Sequence, residues 1–219
     1  MTIDFYFFPV SPPCRTIMMI GKALGIHFNY IEVCPMKGDH MKAEFVKINP
    51  QHSIPTINDN GLIFCESRAI MGYLVNRYAK NDALYPKDPQ KKGIIDQILY
   101  FDVGTLYDLF YKCYIVVAFG VQNEAAEEDV QALERAFETL NIFLQGNEYV
   151  AGTDLTIADF SIITSVSSII ECGFDISAYE NVNEWYERCS KNLEKFGFEE
   201  INLNGARVIA EMYKSHCTE

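Results

Sequence analysis

The apolar positions of this chain change their period once. Through the first eighty residues, short apolar or alternating runs at 3–8, 28–33, 54–57 and 62–64 predict strands. Helical spacing predicts helices at 13–25, near 40–47 and at 67–79. The order strand, helix, strand, helix, strand, strand, helix is that of a small α/β domain with a mixed sheet. KNDALYPKDPQKKG, residues 80–93, carries two prolines, charge and few large apolar side chains, and reads as a linker. Beyond it apolar residues recur at three and four: Ile94, Ile98, Phe101, then Leu106, Leu109, Phe110. The stretch 124–145 places Val130, Leu133, Phe137, Leu140, Phe143 and Leu144 on one face of an amphipathic helix. No strand pattern follows, so the second part is predicted to be all-helical.

One helix start is written sharply. In DLTIADFSII, Thr156 and Asp159 occupy the N-cap and third positions. The pair resembles a capping box with Asp in place of Glu, and Leu155 with Phe160 fits a hydrophobic staple. These residues are assigned to folding, not chemistry.

Composition narrows the function classes. At 219 residues and 49% hydrophobic, the chain can bury a sizeable core. A net charge of −12 argues against nonspecific nucleic-acid binding and against an anionic membrane surface. No apolar run approaches a bilayer span of roughly 20 residues, and MTIDFYFF lacks the basic region of a secretory signal. The cysteines at 14, 34, 65, 113, 172, 189 and 217 are odd in number and form no CxxC. That pattern predicts a reducing, cytoplasmic setting rather than a disulfide framework. The histidines at 27, 40, 52 and 216 show no metal-ligand spacing, so no metal is expected.

Three junctions in the first domain carry candidate chemistry. In FFPVSPPCR, Ser11 stands where a strand meets a helix, followed by Pro12, Pro13 and Cys14. A helix N-terminus offers N–H donors and partial positive charge, so a hydroxyl there suits an anion such as a thiolate. The alternative is that Ser11 only caps the helix. With serine in place of a second cysteine, dithiol chemistry is lost. Cys14 is expected to be buried, and Arg15 either supports the anion or is solvated. In NPQHSIPTINDNG, Pro55 enters a strand and the Asn60–Gly61 turn closes a hairpin. A cis proline there would leave the preceding backbone free to pair with a peptide ligand. In FCESRAIMGYLV, Ser67 at a helix start suits a carboxylate and Glu66 an ammonium, together an amino-acid head group; the alternative is a capped helix with solvated charges.

Taken in order, VSPPCR, NPQHSIPTINDNG, ESRAIMGYLV, LYFDVGTLYDLF and YVAGTDLTIADFSIITSVSS resemble the cytosolic glutathione transferases, and among them the insect delta class of the delta/epsilon group. The match runs from about residue 3 to 190. The resemblance implies a thioredoxin-like α/β domain at 1–80 that binds glutathione, a linker at 81–88, and an all-α domain at 89–219 with a hydrophobic substrate site. It implies a cytoplasmic homodimeric enzyme that conjugates glutathione, a co-substrate and not a cofactor, to small hydrophobic electrophiles. It makes Ser11 catalytic. Glutathione would be held by His40, His52, Ser53, Ile54, Pro55, Glu66, Ser67 and Arg68, with Pro55 cis. Tyr107, Phe110, Tyr111 and Tyr114 would line the electrophile site. Departures fall at Val10, Pro12 and Pro35, where the class commonly has glycine, alanine and leucine, and residues 196–219 match weakly. A noncatalytic carrier of hydrophobic ligands on the same fold is the main alternative, and an interaction module the third.

Overall fold

A computed structural model describes residues 2–217. Four strands, β1 (Ile3–Phe7), β2 (Phe28–Glu32), β3 (Thr56–Asp59) and β4 (Leu62–Cys65), form one sheet in the order β2-β1-β3-β4. β1 runs parallel to β2 and antiparallel to β3, and β3 runs antiparallel to β4. The parallel pair needs a crossover, supplied by α1 (Pro12–Leu24). Two tight turns, Pro35–Lys37 and Asp39–Met41, precede the short α2 (Ala43–Ile48), and α3 (Ser67–Tyr78) closes the unit. The fold matches the predicted mixed sheet, with β3 starting two residues after the predicted strand. Pro55 has no N–H for the ladder, so pairing begins at Thr56. Asn60 and Gly61 both take positive φ, 54° and 93°, which a two-residue hairpin turn of this kind requires.

The second unit is helical. α4 (Pro89–Phe101) continues through two π-helical turns, Asp102–Leu106 and Tyr111–Ile115, with α-helical pieces Tyr107–Phe110 and Val116–Ala118. Then come α5 (Glu127–Phe143), α6 (Ile157–Glu171), α7 (Glu180–Leu193), a π turn at Phe198–Leu203, and α8 (Asn204–Cys217). Ile94 and Val130, predicted on apolar faces, are exposed at 48% and 39%. Ile95 takes the inward place on α4, and Val130 lies in the first turn of α5, before its buried stripe Leu133, Phe137 and Leu140.

α6 is the axis of the molecule. It is buried without a break from Ile157 to Ile169. A helix surrounded by protein on all sides normally reads as apolar throughout, yet this one carries Ser161, Thr164, Ser165, Ser167 and Ser168 in the interior. Each hydroxyl has a partner. Thr164 donates to the Ser161 carbonyl at 2.8 Å and Ser168 to the Thr164 carbonyl at 2.7 Å. Thr164 also meets Thr16 of α1 at 2.8 Å, across the boundary between the two units. The helix starts with the predicted capping box: Thr156 N–H donates to Asp159 at 2.8 Å. Asp159 also accepts from Val150 N–H at 2.9 Å and from the indole of the fully buried Trp185 at 3.0 Å.

Candidate active site

The sheet register brings the three junctions to one end. Tyr6 of β1 pairs with Thr56, the first residue of β3, and Thr56 pairs with Cys65, the last of β4. The turn after β1, the Ile54–Pro55 peptide and the Cys65–Glu66 turn therefore converge. The exit from β2 joins them, because Val33 N–H donates to the Phe7 carbonyl at 2.8 Å and the chain then leads to His40. Loops at the carboxyl end of a parallel pair form a crevice, which is where open α/β sheets place ligands.

Ser11 is the N-cap residue of α1, yet its side chain makes no capping hydrogen bond. Of the donors a capping hydroxyl ordinarily uses, the second and third helical N–H, Pro13 removes the second; only the Cys14 N–H is left, and Ser11 makes no side-chain bond to it. The Ser11 backbone is spent locally: its N–H donates to Phe8 and its carbonyl accepts from Arg15, both at 3.0 Å. The expectation that the helix end lends a row of N–H donors to an anion is cut by Pro12 and Pro13 to the N–H of Cys14. Beside it stands the half-buried Ser11 hydroxyl. Its neighbour is the Cys14 thiol, which burial pushes up to about 11 despite the hydroxyl of Ser11 and the Phe8 backbone within hydrogen-bonding reach. Cys14 thus stays a neutral thiol near neutral pH. Arg15, expected to assist an anion or be solvated, is completely buried.

The loop before β3 is held by a residue that the motif reading passed over. Asn49, buried at the end of α2, donates to the Ser53 carbonyl, the Ser53 hydroxyl and the Thr56 hydroxyl at 2.9, 3.1 and 2.9 Å, and accepts from Gln51 N–H at 3.0 Å. Within this clamp the Ile54–Pro55 bond is cis. His52 sits at φ 46° and Glu66 at φ 70°, two of the three non-glycine residues with positive φ among the described residues. Side chains rarely adopt that region without an imposed reason. The rings of His40 and His52 lie 6.1 Å apart, and Nδ1 of His40 is buried without a hydrogen-bond partner.

Glu66 is exposed and opens α3, while Ser67 behind it is buried. Arg68 donates to the Ser67 hydroxyl at 3.0 Å and to Asp102 through Nε at 3.1 Å. Asp102 is fully buried at the first π turn and also accepts from Ser161 at 2.5 Å and Ser165 at 3.0 Å on α6. The alternative of solvated charges at this helix start is excluded for Arg68, which is an interdomain ion pair; it still fits the exposed Glu66.

Tyr107, Phe110 and Tyr114 form an aromatic row, with ring centroids 6.1 and 6.0 Å apart. The row extends to Tyr213 of α8, edge-on to Tyr114 at 5.0 Å. The Arg68 guanidinium lies 5.2 Å from the Tyr107 ring, so the row starts beside the Ser67–Arg68 junction. Burial pushes the Tyr107 hydroxyl up to about 12, and the charged groups acting on it include Arg68 and Arg15. Tyr111 makes no ring contact with this row and is 48% exposed.

Two family models match the chain: the glutathione S-transferase N-terminal domain at residues 5–82 and the C-terminal domain at 104–192. A glutathione transferase of Bombyx mori is 43% identical over 97% of this chain and 98% of its own, with a TM-score of 0.94. The chain belongs to the glutathione transferase family. A delta-class transferase of Nilaparvata lugens is 42% identical over 98% and 99% of the two chains, with a TM-score of 0.91. A transferase homologue of Drosophila mojavensis, solved with bound glutathione, is 32% identical over 98% and 97%, with a TM-score of 0.89. The resemblance to insect delta-class enzymes, the two-part fold and the transferase activity are thereby established, and a noncatalytic carrier is not favoured. The transferase uses glutathione as co-substrate. Among the described residues, no helix is long and apolar enough to cross a membrane.

Three residues of the transferase's crevice lay outside the sequence prediction: Asn49, Asp102 and Tyr213. Asn49 stands in an Asn-Pro pair, a turn signal with a mechanism. Asp102 is a single acid inside the apolar run ILYFDVGTL, which flags a buried partner. Tyr213 carries no local signal, because its place depends on how α8 folds back.

Proposed function

We propose that the transferase activates glutathione by holding its thiolate on the Ser11 hydroxyl and delivers it to electrophiles docked on the Tyr107–Phe110–Tyr114 row. The observation that carries this reading is a half-buried hydroxyl at a helix start that makes no capping hydrogen bond. A serine hydroxyl is too weak an acid to serve as a base at neutral pH, so its part is to donate. A thiol of pKa roughly 8.5 is a few per cent ionised at pH 7, and lowering it by about two units needs about 2.7 kcal/mol. One hydrogen bond to a charged group supplies about 1.5–3 kcal/mol.

In the same reading Glu66 takes the glutathione ammonium, Ser67 and Arg68 the γ-glutamyl carboxylate, and Ile54 with cis Pro55 the cysteinyl backbone. Ser53, His40 and His52 take the glycyl end. The glutathione domain spans residues 1–80 and the electrophile domain 89–219, joined by 81–88. Tyr111 belongs to the rim of the electrophile site. The protein acts as a cytoplasmic homodimer: the described cysteines are unpaired thiols, and the exposed Tyr100 and Val103 flank a cleft of about 360 Å³ that also takes in Glu66, Arg68 and Ala69.

The test is the ionisation of bound glutathione followed by ultraviolet difference absorbance across pH. Wild type is expected to form thiolate about two units below the free thiol. Ser11→Ala is expected to lose most of that shift and most of the turnover while keeping glutathione affinity. Near-normal turnover in Ser11→Ala would remove Ser11 from the mechanism.

A further inference from the structure

Arg15 carries a formal charge into the interior with no acid beside it. Its side chain is completely buried, and its recorded partners are neutral: one terminal nitrogen donates to the Asn202 backbone carbonyl and the other to the Ser168 hydroxyl at 2.6 Å. Nε has no hydrogen-bond partner. Buried cations are ordinarily paired, because desolvation is costly otherwise. The titratable groups that face it are Tyr107 from the helix carrying the aromatic row, Cys14 from its own helix and Cys172 after α6. Burial pushes these up to about 12, 11 and 12 respectively. At neutral pH none of them supplies a negative charge.

The C-terminal segment fixes this cation against the turn that carries Ser11. Asn202 accepts from Arg15 through its backbone while its own amide donates to Ser167 at 2.8 Å, and its Oδ1 is buried without a partner. Gly205, in the first turn of α8, is closer still. A Cβ there would lie 2.5 Å from Cδ of Arg15, 3.1 Å from its Nε and 2.9 Å from the carbonyl oxygen of Pro9. Pro9 precedes Ser11 by two residues, and the Arg15 N–H holds the Ser11 carbonyl. The end of the chain is thus packed directly on the back of the turn proposed to hold the thiolate.

We infer that Asn202 and Gly205 are positioning residues for glutathione activation, holding the uncompensated Arg15 charge behind Ser11 so that the bound thiolate becomes its counter-charge. This inference rests on the Ser11 reading above. It adds a long-range charge to the Ser11 hydroxyl at a helix start where Pro12 and Pro13 remove two of the N–H donors.

Asn202→Asp tests it with almost no change of shape. A carboxylate there would neutralise Arg15, and the ionisation midpoint of bound glutathione should rise by about one pH unit. Turnover at about pH 6.5 should fall about fivefold, the thiolate fraction there dropping from about one half to about one tenth when the midpoint rises by one pH unit, with the KM for glutathione little moved. Affinity for S-methylglutathione, which has no thiol to ionise, should change less than about twofold, a change worth well under the 1.4 kcal/mol of a tenfold effect. Gly205→Ala, which pushes on both Arg15 and Pro9, should raise the midpoint in the same direction. An unmoved midpoint in both variants overturns the inference. So does a loss of S-methylglutathione affinity in step with that of glutathione, which would mean a scaffolding role only. Ser11→Ala separates the two readings: a midpoint kept low without the hydroxyl sinks the Ser11 assignment. A midpoint lost there but unmoved in Asn202→Asp and Gly205→Ala sinks only this one.

Discussion

The Arg68 guanidinium and the Asp102 carboxylate meet across the domain boundary, with Nε and one terminal nitrogen both donating to a single oxygen, Oδ2. The arrangement does two things at once. It joins α3 to the helical unit, and through the 3.0 Å bond to the Ser67 hydroxyl it fixes a residue of the junction proposed to bind the γ-glutamyl end.

Asp102→Asn is therefore expected to affect both stability and glutathione binding. Removing one partner of a buried pair leaves the other charge uncompensated and costs about 3–5 kcal/mol. Ser165→Ala, which removes one neutral donor from the same carboxylate, should cost only about 1 kcal/mol. In Asp102→Asn the KM for glutathione should rise about tenfold, equivalent to 1.4 kcal/mol of lost binding. Urea unfolding and steady-state kinetics decide it. A variant with wild-type stability and unchanged KM would make the pair incidental.

The fold was legible because each of its devices is local. Alternation gave four strands, Asn60–Gly61 gave the hairpin, and Thr156 with Asp159 gave the start of α6. The candidate site was legible as three turns, at Ser11, Pro55 and Glu66, which the sheet register brings to one end. It was hidden where a side chain acts across the fold. Arg15 looks like an exposed cation one turn into a helix, and it is the fold that covers it, with Ser168 of α6 and Asn202 and Gly205 of the C-terminal segment against it. Pro12 and Pro13 are visible in the sequence, and they remove two of the N–H donors that an anion at this helix start would use.

Asn49 is expected to matter to glutathione binding without touching it. Its four hydrogen bonds shape the loop carrying His52, Ser53 and cis Pro55. Asn49→Ala should cost about 2–3 kcal/mol, since the loss of buried partners exceeds the worth of one bond. The loop's freedom should appear as a raised KM for glutathione with kcat nearly kept. A fall in kcat at constant KM would place Asn49 in the chemistry instead.

The aromatic row makes a graded prediction for electrophile choice. Tyr114 and Tyr213 meet edge-on at 5.0 Å, an arrangement worth about 0.5–1.5 kcal/mol beyond burial. Replacing either by alanine should change the kcat/KM ratio between a planar aromatic and a small aliphatic electrophile by about three- to tenfold. Tyr111, half exposed and outside the row, should change it less than about twofold, the range expected of a side chain away from buried contacts. A larger effect at Tyr111 than at Tyr213 would move the electrophile site toward the rim.

Asp159 predicts a pH dependence of stability opposite in sign to that of a paired surface acid. Burial, the largest influence, lifts its carboxyl from 3.8 to about 6, against the hydrogen bonds from Val150, Thr156 and Trp185 that favour the ionised form. Between about pH 4 and pH 6 the folded protein therefore holds a proton that the unfolded chain has released. More protons in the native state means that unfolding free energy falls as pH rises through that window. From pH 4.5 to pH 7 this group alone should remove about 2 kcal/mol. Other carboxyls titrate in the same range, so the quantity to measure is a double difference. Unfolding free energies of wild type and Asp159→Asn at the two pH values give it. The variant will be less stable at both, because an amide cannot accept from every donor that converges there, but it lacks the titration. The wild type should lose about 2 kcal/mol more than the variant on going to pH 7. A double difference of zero, or of opposite sign, would mean that the converging donors outweigh burial and that the capping acid is ionised throughout.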